Sequence, residues 1–132
     1  MNLLEKLMSE YDNELTFEFV DMPKGIPGYI KGRHVSINAN MPFEKSLAIL
    51  AEELGHYETS VGDITNYKDS NNMKQEIKAR RWGYRKLIPY SELKRLIDER
   101  GSLDRHEIAE HFSVPDKYVV EAIEMYRVTG HL

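Results

Sequence analysis

Glu52 and His56 stand four residues apart in the stretch SLAILAEELGHYETS, with Glu53 directly after the first of them. On a helix, side chains at that spacing lie one above the other, within reach of a single cation. A helix that grips zinc commonly reads H-E-x-x-H: two histidines hold the ion, and the glutamate serves as general base. Here Glu52 occupies the first histidine position. At about 100° per residue, Leu47, Leu50, Ala51, Leu54 and Tyr57 share the roughly opposite, core-facing side, and Glu53 falls on a flank between the two. Taken alone, the motif suits either a metal helix with a carboxylate ligand or an ordinary helix with a charged, solvated face. Gly55 costs such a helix about 1 kcal/mol relative to alanine, which hints at a close neighbour.

A metal site needs a third ligand, and the segment MKQEIKARRWGYRKLI offers Glu76. Ala79, Gly83 and Leu87 follow it on the same helical face, and small residues there let two helices approach closely. The segment is otherwise basic, with Lys74, Lys78, Arg80, Arg81, Arg85 and Lys86, and Glu76 is its only acid. A lone carboxylate among cations also suits an ordinary helical ion pair.

These helices need a frame. NLLEKLMSEYD has the apolar spacing of a short amphipathic helix. LTFEFVD alternates like a half-buried strand, MPKGIPG is a turn, and YIKGRHVSIN suggests two short strands hinged at Gly32. We expect the first long helix to run from about Pro42 to Thr59 and the second to stop near Pro89, joined by the polar loop SVGDITNYKDSNN. YSELKRLIDER, DRHEIAEHF and DKYVVEAIEMYRV predict three shorter helices, with Ser102, Ser113 and Asp116 near their caps. The 132 residues suggest one domain over 1–132, divided into a site-bearing part at 1–89 and a helical part at 90–132.

Composition narrows the function. There is no cysteine, which removes disulfides, thiolate ligands and thiol nucleophiles. A net charge of -4 argues against a duty built on neutralising phosphates. No apolar run has the length of a membrane span, and MNLLEKLMSEYDNE carries acids where a secretory signal needs an apolar core, so we expect a cytoplasmic protein.

Two separated blocks, VSINANMPFEKSLAILAEELGHYETS and EIKARRWGYRKLIP, together resemble the ImmA/IrrE family of metallopeptidases of phages, mobile elements and bacterial genomes. The family pattern is a strand ending in Ile-x-hydrophobic-Asn, a helix with HELGH, and a glutamate opening E-x-x-A-x-x-F-A…LLMP. Glu76 matches the glutamate ligand, Ala79 the alanine, Trp82 the aromatic and Gly83 the small residue. His56 matches the second histidine and Glu53 the base. The match spans about Val35 to Pro89. It implies an α+β fold with a small antiparallel sheet, zincin-like active-site helices and a C-terminal helical tail. It implies a metal-dependent endopeptidase acting in the bacterial cytoplasm on helix-turn-helix repressors, with Glu52, His56 and Glu76 as ligands. Glu52 is the departure, since the family usually has histidine there. Two carboxylates and one imidazole would neutralise a divalent ion and weaken it as a Lewis acid. Zinc is the expected metal, and the oxygen-rich set makes manganese or iron plausible too.

Other features point to rival readings. HEIAEH places His106 and His111 about 140° apart around a helix, too divergent for one ion. Glu53 to His56 spells E-x-x-H, but a di-iron bundle needs a second such motif, and the chain has none. His34 and His131 carry no constellation. Tyr57 is near enough to suggest an oxyanion stabiliser, yet it points toward the core. Ala109, Phe112, Val114, Val119 and Ile123 are spaced like the packing residues of a helix-turn-helix. The second helix of that unit carries Asp116, Glu121 and Glu124 against Lys117 and Arg127, whereas a DNA reader wants a basic surface. A helical unit that packs on the catalytic part or holds a protein partner is the better expectation. The alternatives to an enzyme are thus a catalytically silent relative that binds a regulator, and a DNA-binding module.

Overall fold

A computed structural model describes residues 1–59 and 71–131. The elements run α1 (Leu3–Ser9), β1 (Thr16–Val20), β2 (Gly28–Lys31), β3 (His34–Asn38), α2 (Phe43–Thr59), α3 (Asn71–Leu87), α4 (Tyr90–Arg100), α5 (Arg105–Phe112) and α6 (Asp116–Val128). The architecture is α+β, as expected. The expected polar loop lies outside the described residues, except that Asn71 and Asn72 already belong to α3.

The sheet is mixed, not antiparallel, with strand order β1-β3-β2. β2 and β3 form the expected antiparallel hairpin across Gly32, whose φ of 61° suits the first central position of a two-residue turn. β1 instead pairs parallel to β3, with Phe17 opposite Val35 and Phe19 opposite Ile37. The cause is the connection between β1 and β2. Residues 21–27 carry Pro23, Gly25 and Pro27 and make no tight hairpin, so the chain crosses to the far side of β3. The Asn38 side chain holds that crossing, its amide donating to the Ile26 carbonyl at 2.9 Å. Val35 and Ile37, fully buried, put β3 in the middle.

Two cores form. Leu7, Leu15, Ile30, Val35, Ile37, Leu47, Leu50 and Leu54 fill the space between the sheet, α1 and α2. Tyr84, Ile88, Leu93, Leu96, Ile108, Phe112, Val119, Met125 and Tyr126 fill the second, among α3 to α6. α3 serves both: Trp82 packs against the first core, Tyr84 belongs to the second with Ile88 just past the helix end, and Leu87 touches each. The buried Tyr126 hydroxyl donates to the Ile88 carbonyl at 2.7 Å, tying α6 to the end of α3.

The three short helices occupy the expected segments, but two cap assignments change. Asp104, not Ser102, caps α5, in a box with Glu107. Pro115 precedes α6 and makes no side-chain cap, so Asp116 is the first helical residue. Ser113 does end α5, in the left-handed conformation at φ 59°.

Candidate metal centre

α2 and α3 pack closely against each other, and small residues permit it. A β-carbon on Gly55 would lie 2.2 Å from the Ala79 carbonyl oxygen, and one on Gly83 would lie 3.4 Å from the Ala51 β-carbon. Residue 55 therefore faces 79 and 51 faces 83, so the helices run antiparallel. The Gly83 half of the stripe read from sequence makes the approach possible, and Gly55 supplies the other half.

That approach sets Glu76 against the α2 motif. Nε2 of His56 lies 3.0 Å from a Glu76 carboxylate oxygen. The Glu52 carboxyl interacts with Glu76 directly, and its Oε1 accepts from Arg80 Nε at 2.9 Å. Arg80 Nε also sits 3.4 Å from Glu76 Oε1, one helical turn away on α3. The face carrying Glu52 and His56 is therefore not the solvated face of an ordinary helix. α3 covers it, leaving His56 only 5% exposed and Glu53 7%.

Burial and crowding of like charges shape the protonation states. Burial, then the neighbouring Glu76 charge, raises the Glu52 pKa above the ordinary carboxylate value, against the pull of Arg80. Burial also pushes Glu53 up to about 7, helped by Glu52 and Glu76 and opposed by His56. Burial would lower His56, but its hydrogen bond to Glu76 and the surrounding acids outweigh that and raise it. Glu76 moves the other way, lowered chiefly by its hydrogen bond to His56. A carboxyl poised near neutrality beside an acid–imidazole cluster is suited to taking and returning a proton.

The donor set of two carboxylates and an imidazole suits a divalent cation. Yet among the described residues no group of three His, Cys, Asp or Glu side chains is arranged to hold a metal as it stands. Arg80 instead contacts both acids, at 2.9 Å to Glu52 and 3.4 Å to Glu76. Sequence reading counted Arg80 as one more basic residue. Its position four residues after Glu76 was the available signal.

A family model described as Peptidase M78, the IrrE N-terminal-like domain, matches residues 10–124. The chain belongs to this family. The match runs beyond the Val35–Pro89 region on which the sequence resemblance rests, and takes in β1, α4, α5 and most of α6. No curated protein and no solved structure matches the chain. Membership makes this a metallopeptidase-type domain and implies a metal cofactor, for which Glu52, His56 and Glu76 are the donors at hand.

The remaining candidates lie elsewhere. Tyr57 donates to Glu14 at 3.2 Å and packs edge-on against Tyr11, so its hydroxyl is engaged with the α1–β1 region. His106 lies against Glu110 and Asp116, and His111 lies 3.5 Å from Glu92, all at the exposed surface. The His34 ring contacts Thr16 and Glu18 on β1. His131 stacks near Tyr90 and Tyr126. Among the described residues, no helix is long and apolar enough to cross a membrane.

Proposed function

We propose that this domain is a metal-dependent endopeptidase of the ImmA/IrrE type, acting in the cytoplasm on a helix-turn-helix repressor of a phage or mobile element. The observation that carries the reading is the 3.0 Å approach of the His56 ring to the Glu76 carboxylate from a separate helix, with Glu52 in the same cluster. Two donors of one ion, each about 2.0–2.2 Å from it, stand a little over 3 Å apart.

Glu52, His56 and Glu76 would hold the ion, zinc first and manganese or iron as alternatives. When bound, the ion would supply Lewis acidity toward the scissile carbonyl and toward water. Glu53 would take the proton of the attacking water. Its raised pKa lets it return that proton to the leaving amine near neutral pH. The close α2–α3 seam keeps the ligand positions rigid, and the ion would take the place of the proton that His56 Nε2 now shares with Glu76. The α5–α6 unit is read as a packing or partner-holding element, not a DNA reader.

A second reading has its own support. Arg80 already pairs with both acids, an arrangement that would suit a catalytically silent relative that only bound the regulator. Co-expression of the protein with a helix-turn-helix repressor of the same genome separates the two. Cleavage by wild type and none by Glu53→Gln, with binding retained by both, supports the enzyme. Binding by both with cleavage by neither supports the silent relative.

A further inference from the structure

We propose that Arg80 is a resident cation that competes with the metal: its guanidinium latches Glu52 to Glu76, and the ion enters only as Arg80 withdraws. The inference rests on the metal-site reading above and adds a residue that controls loading.

Three observations carry it. First, Arg80 contacts both candidate carboxylate ligands, at 2.9 Å to Glu52 and 3.4 Å to Glu76. A divalent ion bound by Glu52 Oε1 needs the lone pair that accepts from Arg80 Nε, and it would meet the guanidinium charge beside Glu76 as well. Second, Arg80 is free to leave. Its side chain is 52% exposed, unlike His56 beside it, and it is tethered to α3 by a long flexible stem. Third, it has somewhere to go. Arg80 also lines a groove between α3 and α6 with Ile77, Tyr84, Glu121 and Glu124. Glu121 accepts the Tyr84 hydroxyl at 3.0 Å, and Glu124 pairs with Arg127. These acids make the groove that Arg80 lines a second anionic neighbourhood for the displaced guanidinium.

Charge accounting gives the consequence. With the latch closed, Glu52 and Glu76 share one positive charge and their mutual repulsion is offset. With a divalent ion bound, both carboxylates turn to it, and a guanidinium left between them would face a like charge. Arg80 therefore favours the metal-free state, and its removal must strengthen metal binding. A purely supporting residue would do the opposite, because its loss would loosen the ligands.

The test measures zinc and manganese affinity of the full chain by chelator competition, without a His tag. Wild type is compared with Arg80→Ala, Arg80→Gln and the control Arg81→Ala, an α3 neighbour that lines the same groove. The expected result is roughly tenfold tighter binding of both ions by the two Arg80 variants, with Arg81→Ala unchanged. Binding by the Arg80 variants alone, with none by wild type, supports the latch still more strongly. Weaker or unchanged binding in the Arg80 variants, with wild type binding metal, overturns the latch and leaves the metal site standing. No binding by any of them overturns both. A second measurement uses wild type alone and so does not depend on the variants folding. The Arg80 Nε–H signal, followed by NMR during zinc titration, should lose its hydrogen-bonded shift as the site fills, while that of Arg81 stays. An Arg80 signal unmoved at full zinc occupancy contradicts the proposal.

Discussion

Gly55 and Ala79 touch so closely that no side chain fits between them: a β-carbon on Gly55 would lie 2.2 Å from the Ala79 carbonyl oxygen and 2.8 Å from its carbonyl carbon. Both atoms are α3 backbone, which cannot turn aside as a side chain would. Gly55→Ala gains about 1 kcal/mol of helix propensity but must push the two helices apart. We expect a net loss of about 2 kcal/mol in unfolding free energy, together with weaker metal binding, because Glu76 retreats from His56. A urea melt and a chelator competition check the two effects together.

The Glu53 carboxyl is buried, and its pKa rises from the ordinary 4.5 to about 7. The folded state therefore binds more protons than the unfolded state between those values. Stability falls as pH rises through that window, and the full penalty, on the order of 3 kcal/mol, applies above it. In metal-free protein, Glu53→Gln should be more stable than wild type at pH 8 and indistinguishable from it near pH 4.5. Denaturant unfolding at the two pH values measures this. Equal stability at pH 8 would mean that the charge of Glu53 is compensated.

Glu52 separates this chain from the usual HELGH pattern. Glu52→His removes one negative charge from the ligand set and the main anchor of Arg80. Zinc should then be preferred over manganese more strongly than in wild type. Glu52→Ala should lower affinity by at least the roughly 10–100-fold seen when a ligand merely loses its supporting partner. Unchanged zinc and manganese affinity in Glu52→Ala would remove Glu52 from the ligand set.

Tyr118 reaches from α6 into the α2–α3 seam, its hydroxyl 2.8 Å from where a Gly83 β-carbon would sit. That hydroxyl is buried and makes no hydrogen bond among the described residues. Burying an unpaired hydroxyl costs about 1–3 kcal/mol, so Tyr118→Phe should stabilise the protein by about 1 kcal/mol. A loss of stability in a urea melt would reveal a partner for the hydroxyl.

Much of this was legible in the sequence, and the gaps have causes. The helices on either side of the site follow from 3.6-residue periodicity and from Pro42 and Pro89. The i, i+4 spacing picks out Glu52 and His56, and the Ala79–Gly83 stripe brings Glu76 toward them, but spacing alone fits an ordinary ion-paired helix equally, and it is the family resemblance that makes them a ligand set. Strand pairing was not legible: β1 reads alike whether its partner is parallel or antiparallel, and only the long Pro-rich crossing at 21–27 decides it. Neither was the burial of the Glu52–His56 face, since one helix seen alone cannot show what covers its polar side. Arg80 was hidden among six basic residues of one helix, and only the fold distinguishes the one that meets the acids.

The central claim is that Glu52, His56 and Glu76 hold one ion. The most direct measurement is anomalous diffraction at the zinc edge from crystals grown with zinc and no His tag. The account predicts one dominant peak about 2.0–2.2 Å from His56 Nε2 and from an oxygen of each glutamate, with Arg80 turned away. Zinc bound elsewhere, as at His106, would contradict it, whereas Arg80 still bridging the two glutamates at full zinc occupancy would overturn the latch alone.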